Sequence, residues 1–156
     1  IMRKIDQLLE QYGECHQNQT NKLIHWICVP LIMLSLTGLI IQIPFPFEVP
    51  GLNWMVLLYA AALIYYLRLS TVLFAGFVII VALLFLAATW MSSAATESSV
   101  SPTLLFLLIF AFAWIGQFYG HHIEGKRPSF LTDIQFLLIG PAWLLHFVYK
   151  RFGIRY

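Results

Sequence analysis

Titratable chemistry in this chain is confined to a few short stretches. The first is ECHQNQTNKLIH, from Glu14 to His25; the second is QFYGHHIEGKRPSF, which begins at Gln117 and ends at Phe130. In a helix, Glu14, Asn18, Asn21 and His25 follow one another at intervals that keep them on one face. His16 points elsewhere unless the chain bends near Gly13. A polar stripe running into an apolar segment must face protein or water, because an unsatisfied polar group in hydrocarbon is costly. The plainer alternative is a polar helix cap reaching for the membrane interface.

In the second stretch His121 and Glu124 have the helical spacing that lets an imidazole and a carboxylate approach one metal from one face. His122 points away from that face. Lys126 and Arg127 suit a lipid headgroup or a substrate carboxylate, and equally suit ordinary membrane anchoring. A third patch, GPAWLLHFVYK, carries His146; a lone histidine on an aromatic face is more often packed than reactive. Imidazole with carboxylate suits iron, zinc or nickel, and open positions on iron suit oxygen chemistry. Three nitrogen-rich patches, those of His16 and His25, of His121 and of His146, would meet at one interface and suit a divalent ion, with Asn18 and Asn21 able to orient the rings. No GxSxG, P-loop or HExxH pattern is present, so triad hydrolysis, nucleotide binding and zincin proteolysis have no local support. Cys15 and Cys28 form neither a CxxC site nor a disulfide framework.

These groups must be positioned by membrane helices. The 156 residues are 60% hydrophobic and 10% charged, with a mean hydropathy of +0.81; soluble domains carry about 25% charged residues. The expected fold is all-α: a polytopic membrane helical bundle forming a single integral membrane domain over residues 2–156. Ile1 ahead of Met2 reads as foreign to the chain, and no cleavable signal peptide is expected before the amphipathic N-terminal stretch. A net charge of +2 lends no support to nucleic-acid binding.

Four spans are expected, at Leu23–Ile41, Leu52–Leu67, Ser70–Trp90 and Thr103–Tyr119. A turn, QIPFPFEVPG, and a polar loop, MSSAATESSVSP, separate them. A fifth apolar stretch, Phe130–Tyr149, is interrupted by Gly140-Pro141 and is expected to be a broken re-entrant hairpin or a kinked fifth helix. The loops at 42–51 and 91–102 contain no Lys or Arg, whereas Arg3, Lys4, Lys22, Arg68, Lys126 and Arg127 fall on the other side. The positive-inside rule then places both termini in the cytoplasm. The hairpin is preferred because it keeps Lys150, Arg151 and Arg155 on that side, and His146 with the other histidines.

In order and separation, His16-x-Asn18-x-x-Asn21-x-x-x-His25 with Pro30, then Gln117-Phe118-x-Gly120-His121 with Glu124 and Pro128, then Gly140-Pro141, resembles the 2-hydroxy fatty acid dioxygenase family. The resemblance spans about Tyr12 to Tyr149. It implies an Fe(II)-dependent enzyme that uses O2 to shorten a 2-hydroxy fatty acid by one carbon. It also implies that His16, His25 and His121 bind iron. His146 stands where other members carry an acid, and His122 stands at a variable position. The charge pattern sets the polar boxes at the cytoplasmic membrane edge, and the compact chain favours a bacterial inner membrane, with the endoplasmic reticulum expected for a eukaryotic chain. A substrate chelating the metal through carboxylate and hydroxyl would keep its tail among the membrane lipids. Rival readings are a non-catalytic lipid-binding or assembly protein and a bis-histidine haem protein. A histidine-box desaturase is disfavoured by the total of five histidines.

Overall fold

The computed structural model describes residues 3–125 and 130–156, with 130–136 described as backbone only. Lys126 and Arg127 lie outside the described residues. Among the described residues six helices follow in order: α1 (Lys4–Glu14), α2 (Gln19–Ile41), α3 (Trp54–Leu69), α4 (Thr71–Glu97), α5 (Pro102–Glu124) and α6 (Phe130–Arg151). No strand occurs among the described residues. The fold is all-α, and α2, α4 and α5 are long and apolar enough to cross a membrane. At 1.5 Å per residue, α2 and α5 are each about 34 Å long, against a hydrocarbon core of about 30 Å. The shorter α3, of 16 residues, fills the fourth position of the bundle.

Helix starts follow from capping chemistry. The side chains of Asn18, Asn53, Ser70 and Ser101 each accept a backbone N–H from the first turn of α2, α3, α4 and α5. Pro102 occupies the first turn of α5, where its missing N–H costs nothing. Two elements outrun the expected spans. α4 continues through most of the polar MSSAATESSVSP stretch to Glu97; its Thr89, Ser93 and Thr96 hydroxyls donate to carbonyls of the preceding turn, which satisfies them within the helix. α5 continues past Tyr119 to Glu124 and stops at Gly125, whose φ of 70° is the left-handed cap that glycine favours.

The closest helix pair is α2 against α5, running antiparallel. Gly116 and Gly120 form a small-xxx-small step on α5: a Cβ on Gly116 would come within 2.5 Å of the Cys28 sulfur, and one on Gly120 would overlap Asn21 Oδ1. Such steps let membrane helices approach through backbone contact and van der Waals packing. Farther along, Phe106 packs on Gly38. The α3–α4 hairpin closes on stacked Tyr66 and Phe77 rings, 3.7 Å apart at 2°. Outward-facing side chains such as Leu86, Phe112 and Ile115 are about two-thirds exposed, as expected for helices with lipid on one side.

The fifth apolar stretch takes the second of its two expected forms. α6 is one continuous helix through Gly140-Pro141, a fifth C-terminal helix rather than the preferred broken hairpin. Both its halves touch the same end of the bundle. Leu138 O accepts from the Tyr66 hydroxyl at 2.6 Å, and the Tyr149 hydroxyl donates to Val72 O at 2.7 Å. α6 therefore lies across the bundle end with α1 packed on it. A proline inside a helix costs about 3 kcal/mol. Burial of Ile139, Ala142, Trp143, Leu144 and Leu145 against Ile5, Leu8, Leu9 and Tyr12 offsets that cost. Gly140 suits the crossing, since a Cβ there would meet the Tyr12 hydroxyl at 3.0 Å. Lys150, Arg151 and Arg155 consequently share an end with Arg3 and Arg68, the grouping the charge pattern required, reached by a different path.

Replacing Gly120 with leucine should force α2 and α5 apart. Thermal unfolding in detergent is expected to show a loss of about 1–3 kcal/mol or more, the range for overpacking a tight contact, whereas Gly51→Leu, with open space around it but a left-handed backbone, should cost less.

Candidate metal centre

Three elements deliver three imidazoles to one point. The helix expected to carry Glu14 through His25 on one face is interrupted: α1 ends at Glu14, and Cys15 to Asn18 form a short connection. That connection turns His16 back onto the start of α2, where His25 lies one turn beyond Asn21. From the other side of the α2–α5 contact comes His121. One ligating nitrogen of each ring lies within 4.8 Å of the others. Ring centroids are 4.2 Å apart for His16–His25, 5.0 Å for His25–His121 and 5.5 Å for His16–His121, with interplanar angles of 82°, 83° and 68°. His16 and His25 are each 1% exposed.

Hydrogen bonding determines which nitrogens point inward. His16 Nδ1 is 2.6 Å from Tyr12 O, and His25 Nδ1 is 2.9 Å from Asn21 O. A carbonyl oxygen only accepts, so both Nδ1 atoms carry the proton, and a neutral imidazole has only one. Each Nε2 is therefore a bare lone pair. These two lone pairs face each other at 2.9 Å, a repulsive arrangement that a cation between them would make attractive. A proton is a poor candidate near neutral pH: burial is the main cause that lowers the His16 pKa to about 4, assisted by His121 and opposed by the Tyr12 carbonyl. A divalent metal fits. Imidazole–metal bonds of about 2.1 Å at right angles place two nitrogens about 3 Å apart, and metal-bound histidines usually donate their second N–H to a carbonyl or carboxylate.

Glu124 holds this arrangement together without joining it. Its carboxylate accepts the backbone N–H groups of Gln17 (2.8 Å) and Asn18 (3.0 Å) and the side-chain amide of Asn21 (3.0 Å). The end of α5 thus clamps the connection bearing His16. The expected pairing of Glu124 with His121 on one metal gives way to this role. Asn18 touches no ring; its side chain accepts from Thr20 N at 2.8 Å and Asn21 N at 3.3 Å as the cap of α2. Asn21 orients His25 through its backbone carbonyl, and its side chain bridges Glu124 and Cys15 O.

His146 is not brought to the group. Its Nδ1 contacts the Tyr156 hydroxyl, and its ring lies beside Phe147. His122 is exposed at the mouth of the cavity described below. The roles expected for Lys126 and Arg127 fall outside the described residues.

Two aromatic residues absent from the sequence expectation complete the surroundings. Tyr12 stacks on His16 at 4.1 Å and 11°, and Trp143 lies 5.3 Å from the same ring. The signal for Tyr12 was available: Ile5, Leu8, Leu9 and Tyr12 repeat with the period of a buried helix face. The imidazoles open into a cavity of about 450 Å³ between α2, α5 and α6. Beyond the histidines its walls are mostly apolar, with Val29, Ile32 and Met33 on α2 and Trp114 and Phe118 on α5. Met33 lies about 12 Å deeper along α2 than His25, at 1.5 Å per residue. The site is thus polar at the bundle end and oily within.

A family model described as "2-hydroxy-palmitic acid dioxygenase Mpo1-like" matches residues 2–152. Neither the curated proteins nor the solved structures contain a match.

Glu124→Ala should loosen the His16 connection and weaken retention of a divalent ion about 10- to 100-fold, the usual cost of losing an outer partner of a ligand, as read by metal titration. In chelator-treated protein, His16 should also make stability fall with acid. The unfolded imidazole takes up a proton near pH 6.5, while the folded one resists until about pH 4. The stability present above pH 6.5 is then lost on descending toward pH 4. Denaturation midpoints across that window should drop less in His16→Gln than in the unsubstituted chain.

Proposed function

Because the chain belongs to the 2-hydroxy-palmitic acid dioxygenase Mpo1-like family, we propose that it is a membrane Fe(II) dioxygenase that shortens 2-hydroxy fatty acids by one carbon. The carrying observation is the pair of bare Nε2 lone pairs, 2.9 Å apart and joined by His121, at the polar end of an apolar cavity. His16, His25 and His121 are the proposed metal ligands, and iron with positions left open is the ion that suits oxygen chemistry. Bound there, it would supply activation of O2 and a Lewis acid for the substrate's oxygens.

The chain's own residues do the rest. Val29, Ile32 and Met33 hold the alkyl tail along α2, which places the carboxyl and hydroxyl at the imidazoles and uses binding far from the reacting carbons to orient them. Tyr12 and Trp143 cover His16 and exclude water from that side. In the reaction the bond between C1 and C2 breaks, C2 becomes the carboxyl carbon of the shortened acid, and C1 leaves as CO2. C2 gains one oxygen atom of O2 and loses its hydrogen, the other oxygen atom leaves as water with two of the substrate's hydrogens, and O2 thereby accepts the four electrons released.

The basic end of the bundle, with both termini and the site, is proposed to face the cytoplasm of a bacterial inner membrane, or of the endoplasmic reticulum in a eukaryote. The substrate's charged head then lies at the membrane surface and its tail in the hydrocarbon. A haem held between His25 and His121 suits the geometry less well, because their centroids are 5.0 Å apart with His16 packed against both.

Protein purified anaerobically without chelators should carry about one iron per chain, and His25→Ala and His121→Ala should lose it, whereas His146→Ala should keep it. Added 2-hydroxypalmitate should give a fifteen-carbon acid under air and none without oxygen. Full iron and full turnover in both alanine variants would refute the ligand assignment, and a Soret band would replace it with haem.

A further inference from the structure

One polar side chain in the cavity has no part in the arrangement above. Gln117 is 6% exposed, lines the cavity, and lies four residues before His121 on α5. That spacing puts it on the same helix face as the imidazole, about 6 Å deeper into the bundle. Among the described residues no hydrogen bond engages its amide, and the wall across from it on α2 is Val29, Ile32 and Met33. The amide reaches the cavity rather than being sealed in the packing, so a polar group entering there finds a hydrogen-bond partner that the oily wall does not offer. A helix contact needs no amide here, since the neighbouring steps of the interface are made by Gly116 and Gly120.

We propose that Gln117 is the residue that reads the substrate's 2-hydroxyl, its side-chain carbonyl accepting the hydroxyl proton. This inference rests on the fatty-acid reading of the cavity and adds to it the group that tells a 2-hydroxy acid from an unsubstituted one. The position is apt. With the carboxylate at the imidazoles and the tail running toward Met33, the first polar atom on the tail side of the carboxylate is the oxygen on C2. A site built to hydrogen-bond a hydroxyl rejects the analogue lacking it more strongly than an apolar pocket can reject a size difference, because the buried amide is then left unpaired.

The test is competition binding to the full chain in detergent, kept anaerobic so that nothing turns over, with 2-hydroxypalmitate and palmitate each displacing a fluorescent polyene fatty acid. The unsubstituted chain should prefer 2-hydroxypalmitate. In Gln117→Met, a near-isosteric change that keeps helix propensity, 2-hydroxypalmitate should bind about 10-fold more weakly, with palmitate affinity and bound metal unchanged. Gln117→Leu is the second variant and should behave alike. Retention of the full preference in both variants overturns the role of Gln117 and leaves the fatty-acid reading intact. Loss of bound metal in either variant also overturns it, by making Gln117 part of the metal centre. Failure of both acids to displace the probe from the unsubstituted chain overturns the fatty-acid reading, and this inference with it.

Discussion

Two imidazole nitrogens that have each surrendered their proton to the other side of the ring, and yet meet at 2.9 Å, are the constraint around which the rest of the molecule is arranged. The backbone carbonyls of Tyr12 and Asn21 fix the tautomers. The turn after Glu14 and the start of α2 fix the rings. Burial removes the solvent that would otherwise separate them or protonate one. Each of these would be a cost in isolation, since lone-pair repulsion and desolvation both oppose folding. Together they leave two lone pairs that a cation could join, and the third imidazole, from α5, lies within reach of the same point.

Keeping that third ring in place falls to the contact between α2 and α5. Without a hydrophobic driving force between helices in lipid, two apolar helices hold a fixed separation only by packing closely and by pairing polar groups. Gly116 and Gly120 supply the first, and the Asn21–Glu124 hydrogen bond at 3.0 Å supplies the second. Glu124 therefore serves the helix interface and the His16 connection at once. Acidic groups near a metal centre are readily taken for ligands; here the carboxylate's value lies in having two oxygens for three backbone and amide donors.

Much of this was legible in the chain. Apolar runs, cap residues and the one-sided distribution of Lys and Arg give the membrane bundle, and the order of the polar boxes points to His16, His25 and His121. What stayed hidden depended on three-dimensional context. The face shared by Glu14, Asn18, Asn21 and His25 assumes an unbroken helix, but the chain turns at Cys15–Asn18, and that turn is what makes His16 useful. Asn18 has the residue type of an N-cap, and its capping role could have been drawn from that alone. Gly140-Pro141 looks like a break because local propensity opposes a helix there; tertiary burial of α6 prevails. His146 faces Tyr156 because α6 lies across the bundle end, an orientation that no local pattern encodes.

Chain order adds one more consequence. His16 and His25 are separated by nine positions, whereas His121 and the Glu124 clamp come more than ninety residues later. During translation the two early rings therefore exist for some time without the helix that completes them. A site divided in this way assembles only after α5 has packed beside α2. The three-imidazole group thus stays incomplete until the helices that enclose it are present.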